Sequence, residues 1–192
     1  MKKRSISPAL IIIWILFIAY SLNAEQLTVE FNRKYYQNGR FYSYFHLNGS
    51  ISYDTIDAIQ NGITAKFFIT FQLLKSRGIF RQGKNVLGEK VYTYTIHYDV
   101  WENSFVITDK KSKEKYHIAG SSGIISEINE MASPLSIKDI SVDRKENLLL
   151  RAKIKIETLK LYPPFGIFLL FFDPWNYESS WINTDVFTLE KL

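Results

Sequence analysis

Apolar residues recur at every second position over most of this chain. Ala65, Phe67, Ile69, Phe71 and Leu73 share one face of residues 63–74, with Lys66, Thr70 and Gln72 on the other. That is the period of a β-strand with one buried side. Phe41, Ser43, Phe45 and Leu47 alternate likewise against Tyr42, Tyr44, His46 and Asn48, and Leu27, Val29 and Phe31 against Thr28, Glu30 and Asn32. Between these two runs, Asn38-Gly39 predicts a tight hairpin, because both residues tolerate the left-handed backbone of a two-residue loop. Tyr92, Tyr94, Ile96 and Tyr98 predict a further strand, followed by a turn over Asp99–Asn103 and a strand over Ser104–Thr108. A turn over Lys110–Lys113 then leads into a strand over Lys115–Ala119, and residues 135–142 read as another. Finally Leu148, Leu150, Ala152, Ile154 and Ile156 oppose Arg151, Lys153, Lys155 and Glu157.

Two segments change period. Asp54 can cap a short helix over Thr55–Asn61 that buries Ile56, Ile59 and Ile63 and stops at Gly62. A second helix begins at Gly120-Ser121-Ser122-Gly123, carries Ile124, Ile125, Ile128 and Met131 inward, and ends before Pro134. Lys75–Gly88, with Gly78, Gly83 and Gly88, reads as a long connection. About eight or nine short strands, each with one solvated face, predict an antiparallel β-sandwich with two short helices. The structural rival is a small closed β-barrel of the outer-membrane kind. The helices that interrupt the hairpin series and the Lys and Glu residues in mid-strand argue against it.

The first 24 residues follow a different logic. Lys2, Lys3 and Arg4 precede the apolar run Ala9–Leu22, and Ala24 offers a small residue for cleavage. This is the layout of a secretory signal peptide, so residues 25–192 are expected to form a single exported β-rich domain, periplasmic or extracellular. An uncleaved N-terminal anchor is the alternative, but the run falls short of the ~20 residues that span a bilayer. The formal charge of +5 owes three units to that leader, and the remaining +2 gives no reason to expect a nucleic-acid partner. There is no cysteine, which excludes disulfides, thiol catalysis and lipid attachment through an N-terminal cysteine.

Aromatic residues, at 16%, are the compositional surplus. The densest stretch, Leu161–Trp181, breaks the alternation kept elsewhere. Its bland reading is a strand buried on both faces between prolines. Its functional reading is an exposed aromatic surface of Phe165, Phe168, Phe172, Trp175 and Trp181 for a hydrophobic ligand or a partner.

Catalytic patterns are weak by comparison. His46, His97 and His117 lie in three different predicted strands without helical ligand spacing, so no metal and no cofactor is expected. Gly120-Ser121-Ser122-Gly123 fails the G-x-S-x-G spacing of a nucleophile elbow. A hydrolase would require Asp54, Asp99, His97, His117 and Ser122 to converge, at least in pairs, in one cleft.

Three segments carry a family resemblance: AIQNGITAKFFITFQLLKSRG from Ala58 to Gly78, YTIHYDVWENSFVI from Tyr94 to Ile107, and WNYESSWINTDVF from Trp175 to Phe187. In that order they resemble the uncharacterised bacterial family catalogued as domain of unknown function 4390. The resemblance implies an exported bacterial protein and supplies no catalytic residue. The leading expectation is therefore a non-enzymatic binding domain of the cell envelope. A carrier of a lipid or other hydrophobic ligand and an envelope-polymer hydrolase are the alternatives.

Overall fold

Strand β3 (Ala65–Lys75) forms the spine of the molecule, hydrogen-bonded along its whole length to β8 (Leu148–Thr158) on one side. On the other side it pairs with β4 (Val86–Asp99). A computed structural model describes residues 27–76, 86–138, 140, 142–158 and 176–192, and strands hold 53% of them, which makes the protein mainly β. From β4 the large sheet continues through β5 (Ser104–Asp109) to β6 (Lys115–Ile118). At its opposite edge β8 is covered by the two-residue strands β9 (Tyr177–Glu178) and β10 (Ile182–Asn183). A second sheet of three strands has the order β1 (Thr28–Gln37), β2 (Arg40–Asn48), β7 (Leu135–Ile137). Both sheets are antiparallel, and neither closes on itself, so the expected β-sandwich is the architecture and the closed barrel is not.

The alternation read from the sequence is the alternation of burial. Phe67, Ile69, Phe71 and Leu73 of β3 are fully excluded from solvent, as are Leu148, Leu150, Ala152 and Ile154 of β8. Each large side chain buried this way contributes about 1.5–3 kcal/mol. The sheets meet through rings. Phe71 lies 4.6 Å from Phe45 and 6.2 Å from Phe31, both on the small sheet, and Phe41 stacks on Phe187 at 5.6 Å. A close approach is at Gly88, where an added Cβ would stand 2.4 Å from Ile137 Cγ2.

Several details differ from expectation. The first helix, α1 (Tyr53–Gln60), is capped by Ser52, whose Oγ accepts the Thr55 amide at 3.3 Å, and Asp54 sits inside its first turn. Serine is as good a cap as aspartate, and it sets the helix start two residues earlier. Gly62 ends the turn with φ +92°, and Ile63 is only half-buried. Strand β4 starts at Val86, inside the expected connection. A bulge at Leu87 sets Gly88 opposite Leu73, so the pleat resumes before the aromatic residues begin. The strand expected over 135–142 is regular only to Ile137, after which the Ile140 amide reaches the Gly39 carbonyl at 3.3 Å. The second helix, α2 (Gly123–Ala132), covers β2 and turns Ile124, Ile125 and Ile128 inward as anticipated.

The edge of β8 is closed by side chains as well as strands. Ser179 Oγ accepts the Ile154 amide at 3.0 Å, Thr184 Oγ1 the Leu150 amide at 3.2 Å and Asn176 Oδ1 the Thr158 amide at 2.9 Å. Such cover is how a soluble sheet blunts an edge that would otherwise pair with another chain. Tyr177 Oη donates to the Leu27 carbonyl at 3.2 Å, tying this segment to the start of β1.

Candidate partner-binding surface

The loop between β4 and β5 is the turn expected over Asp99–Asn103. Asp99 Oδ1 accepts the amides of Trp101 at 2.9 Å and Glu102 at 3.2 Å, the self-bonding that makes aspartate a turn former. Asn103 takes up the left-handed region at φ +50°, which returns the chain to β5. Tyr98 Oη donates to Asn103 Oδ1 across the base of the loop, and the Tyr98 ring packs edge-on to Phe105 at 5.1 Å. On the far side, His117 Nδ1 of β6 lies 2.6 Å from the Glu102 carboxylate. The loop is thus braced from within and from β6. Even so, Trp101 is 98% exposed and Val100 is 72% exposed. Nothing in the fold requires an indole there, and its apolar area faces water.

A second aromatic feature lies on the outer face of the small sheet. Tyr35 stacks on Tyr42 with ring centroids 4.8 Å apart and planes 8° apart, and Tyr44 lies 6.3 Å from Tyr35 at a tilt. Burial against its neighbours and the adjacent Tyr44 and Tyr42 raise the Tyr35 phenol above its ordinary value.

Of the anticipated aromatic surface, Phe165, Phe168, Phe172 and Trp175 fall outside the described residues. Trp181 is described, and it is half-buried. The Arg151 guanidinium lies over its ring at 4.1 Å and the Lys153 ammonium at 5.7 Å, a cation–π stack on the outer face of the large sheet. Arg151 in turn donates to Gln72 Oε1 at 2.7 Å, while Lys153 and Lys155 both pair with Glu178. Trp181 thus carries a cationic cover anchored in a polar network.

The five hydrolase candidates are spread over α1, α2 and the β4–β6 end of the large sheet. Asp99 bonds its own turn and His117 faces Glu102. His97 and His117 stand on either side of Val106 in the strand ladder, so their backbones are about 10 Å apart. Ser122, at the start of α2, borders a shallow depression of about 270 Å³ with Ser50 and Tyr53, and none of the other four candidates lines it. Among the described residues no group of three or more His, Asp or Glu side chains could hold a metal ion.

The sequence reading missed Trp101. It located the turn and passed over the side chain the turn displays. The available signal was Val100-Trp101, two large apolar residues at the tip of a predicted hairpin, where the strand period assigns neither to the core.

No curated protein and no solved structure matches this chain. The family profile described as domain of unknown function (DUF4390) matches residues 24–185. That span takes in both sheets, both helices and the Trp101 loop, and the chain belongs to the DUF4390 family.

Proposed function

We propose that this protein is an exported, non-enzymatic binding domain of the bacterial cell envelope, and that it docks a partner protein through the tip of the β4–β5 hairpin. The observation that carries this reading is the exposure of Trp101 on a loop held rigid by Asp99, Tyr98 and Glu102. A tryptophan delivers about 150–250 Å² of contact area, and a pre-shaped loop loses little entropy on docking. Tryptophan is also the residue most often found at the energetic centre of protein interfaces. Export rests on the leader, with its Lys2, Lys3 and Arg4 start, apolar run and Ala24. Among the described residues no helix is long and apolar enough to cross a membrane.

A photo-crosslinking amino acid placed at position 101 tests the docking surface in living cells. The expected result is one discrete adduct with a second protein, absent when the same probe replaces Lys113 on the neighbouring loop. Equal labelling from both positions overturns the assignment. Sequencing the amino terminus of the envelope fraction tests export. A mature chain beginning at Glu25 is expected, and a full-length chain confined to the cytoplasm overturns it.

A further inference from the structure

Lys90 stands on the wrong face of its strand. In β4 it lies opposite Phe71 and shares the core-side row with Tyr92, Tyr94 and Ile96, two of which are fully buried. Its ammonium sits 5.3 Å over the Tyr92 ring, which is itself held edge-on to Phe71 at 6.0 Å. Here, among the described residues, the small sheet ends at β7, and the end of the inner face opens as a cleft of about 460 Å³. Lys110 and Lys111 from the β5–β6 turn line it, with the Ser136 side of β7 opposite. Lys138 adds a further charge close enough to act on Lys90. Among the described lining residues the one carboxylate, Asp109, is engaged by the Lys111 amide at 2.7 Å. None of these four lysines has a carboxylate partner within ion-pair distance among the described residues, whereas Lys75, Lys153 and Lys155 do.

Lys90 is half-buried and Lys110, Lys111 and Lys138 stand exposed around it, so that among the described residues four ammonium groups face one carboxylate at this end of the sheet. Burial, followed by the charges of Lys111 and Lys138, pushes the Lys90 ammonium below its ordinary value, with Asp109 pulling the other way. The cheapest relief of such repulsion is a counter-charge brought in from outside.

We propose that this cleft binds the dianionic phosphoryl head of a phosphate monoester. A dianion matches the charge excess better than one carboxylate. The donors are lysines and hydroxyls, which suit a tetrahedral group approached from several sides, and the cleft offers no arginine fork for planar carboxylate recognition. The volume is that of a small-molecule site, with Met131 and Tyr92 supplying an apolar wall for whatever the phosphoryl is attached to. The site is independent of the Trp101 surface.

Calorimetric titration of the folded domain with glycerol 3-phosphate, and sedimentation with vesicles containing phosphatidic acid, present the same head group from a soluble and a lipid source. Saturable binding to either supports the site and identifies the source. Lys90→Gln should weaken it at least tenfold, and Lys111→Gln, on an exposed turn that tolerates change, several-fold. Lys66→Gln on the opposite face should leave it unaltered. Absence of binding to both probes overturns the proposal. So does equal affinity for sulfate, which would mean an adventitious ion only, or affinity unchanged in both the Lys90 and Lys111 variants.

Discussion

Asn129 of α2 holds both backbone groups of Leu47 on β2, its Oδ1 accepting the amide at 2.7 Å and its Nδ2 donating to the carbonyl at 3.1 Å. Strand β7 pairs with β2 only from Phe41 to Ser43, so beyond that point no strand among the described residues neighbours β2 on this side. One buried side chain, 8% exposed, takes the place of the missing strand.

Removing that amide leaves a buried N–H and a buried C=O without partners, each costing about 1–3 kcal/mol. Asn129→Ala should therefore lower unfolding free energy by roughly 2–4 kcal/mol, read from the urea midpoint at unchanged slope. A loss under about 0.5 kcal/mol, as at an ordinary surface site, would show that water replaces the amide freely.

Gly88 and Ile137 make a tight contact between the sheets. Gly88→Ala should destabilise by about 1–3 kcal/mol, because the new methyl must displace either β4 or β7. Ile137→Ala removes the obstructing Cγ2, so adding Gly88→Ala to that variant should cost markedly less. A double-mutant cycle with no coupling would mean that the strands separate without strain.

Tyr94 presents the reverse case. Its ring is 1% exposed, and its hydroxyl has no hydrogen-bond partner among the described residues. Tyr94→Phe deletes an uncompensated polar group and keeps the ring, so stability should rise by about 1 kcal/mol. A loss of stability on thermal or urea unfolding would reveal a partner for that oxygen.

Stability should also fall at high pH in a window set by the neighbouring ring. Burial, and secondarily the charge of Asp109, raise the Tyr92 phenol to about 12 from an ordinary value of 10.0. Folded and unfolded chains both keep the proton below pH 10, where the contribution is complete. Between pH 10 and about 12 only the unfolded chain ionises, and the contribution is lost. After allowance for partial exposure this amounts to on the order of 1–2 kcal/mol. Tyr94 shifts in the same direction from the same two causes. Tyr92→Phe should flatten the decline, and an unaltered pH profile would remove Tyr92 as its source.

Local rules made much of this fold legible. Period-two alternation named the buried faces of β2, β3 and β8 residue by residue, and Asn38-Gly39 makes the expected turn with φ +51° and +74°. What the sequence could not show is which strand lies beside which. Leu135–Ile137 pairs with β2 across the whole of α2, and Tyr177–Phe187 returns along β8; three-residue and two-residue contacts carry no periodic signal. The same limit hid the lysine cleft. Lys90 belongs to a Tyr-rich strand whose inward row could be read, but only the short span of β7 determines that this row is left open at its end.

The bond from Tyr177 to Leu27 joins positions 150 residues apart. Strand β1 therefore gains this anchor only when a segment far along the sequence docks beside it. Loop closure over that distance is entropically costly, and structures built on such distant contacts form late. The fold is thus clasped across its sequence by the Tyr177 phenol, and β1 is the strand that depends on it.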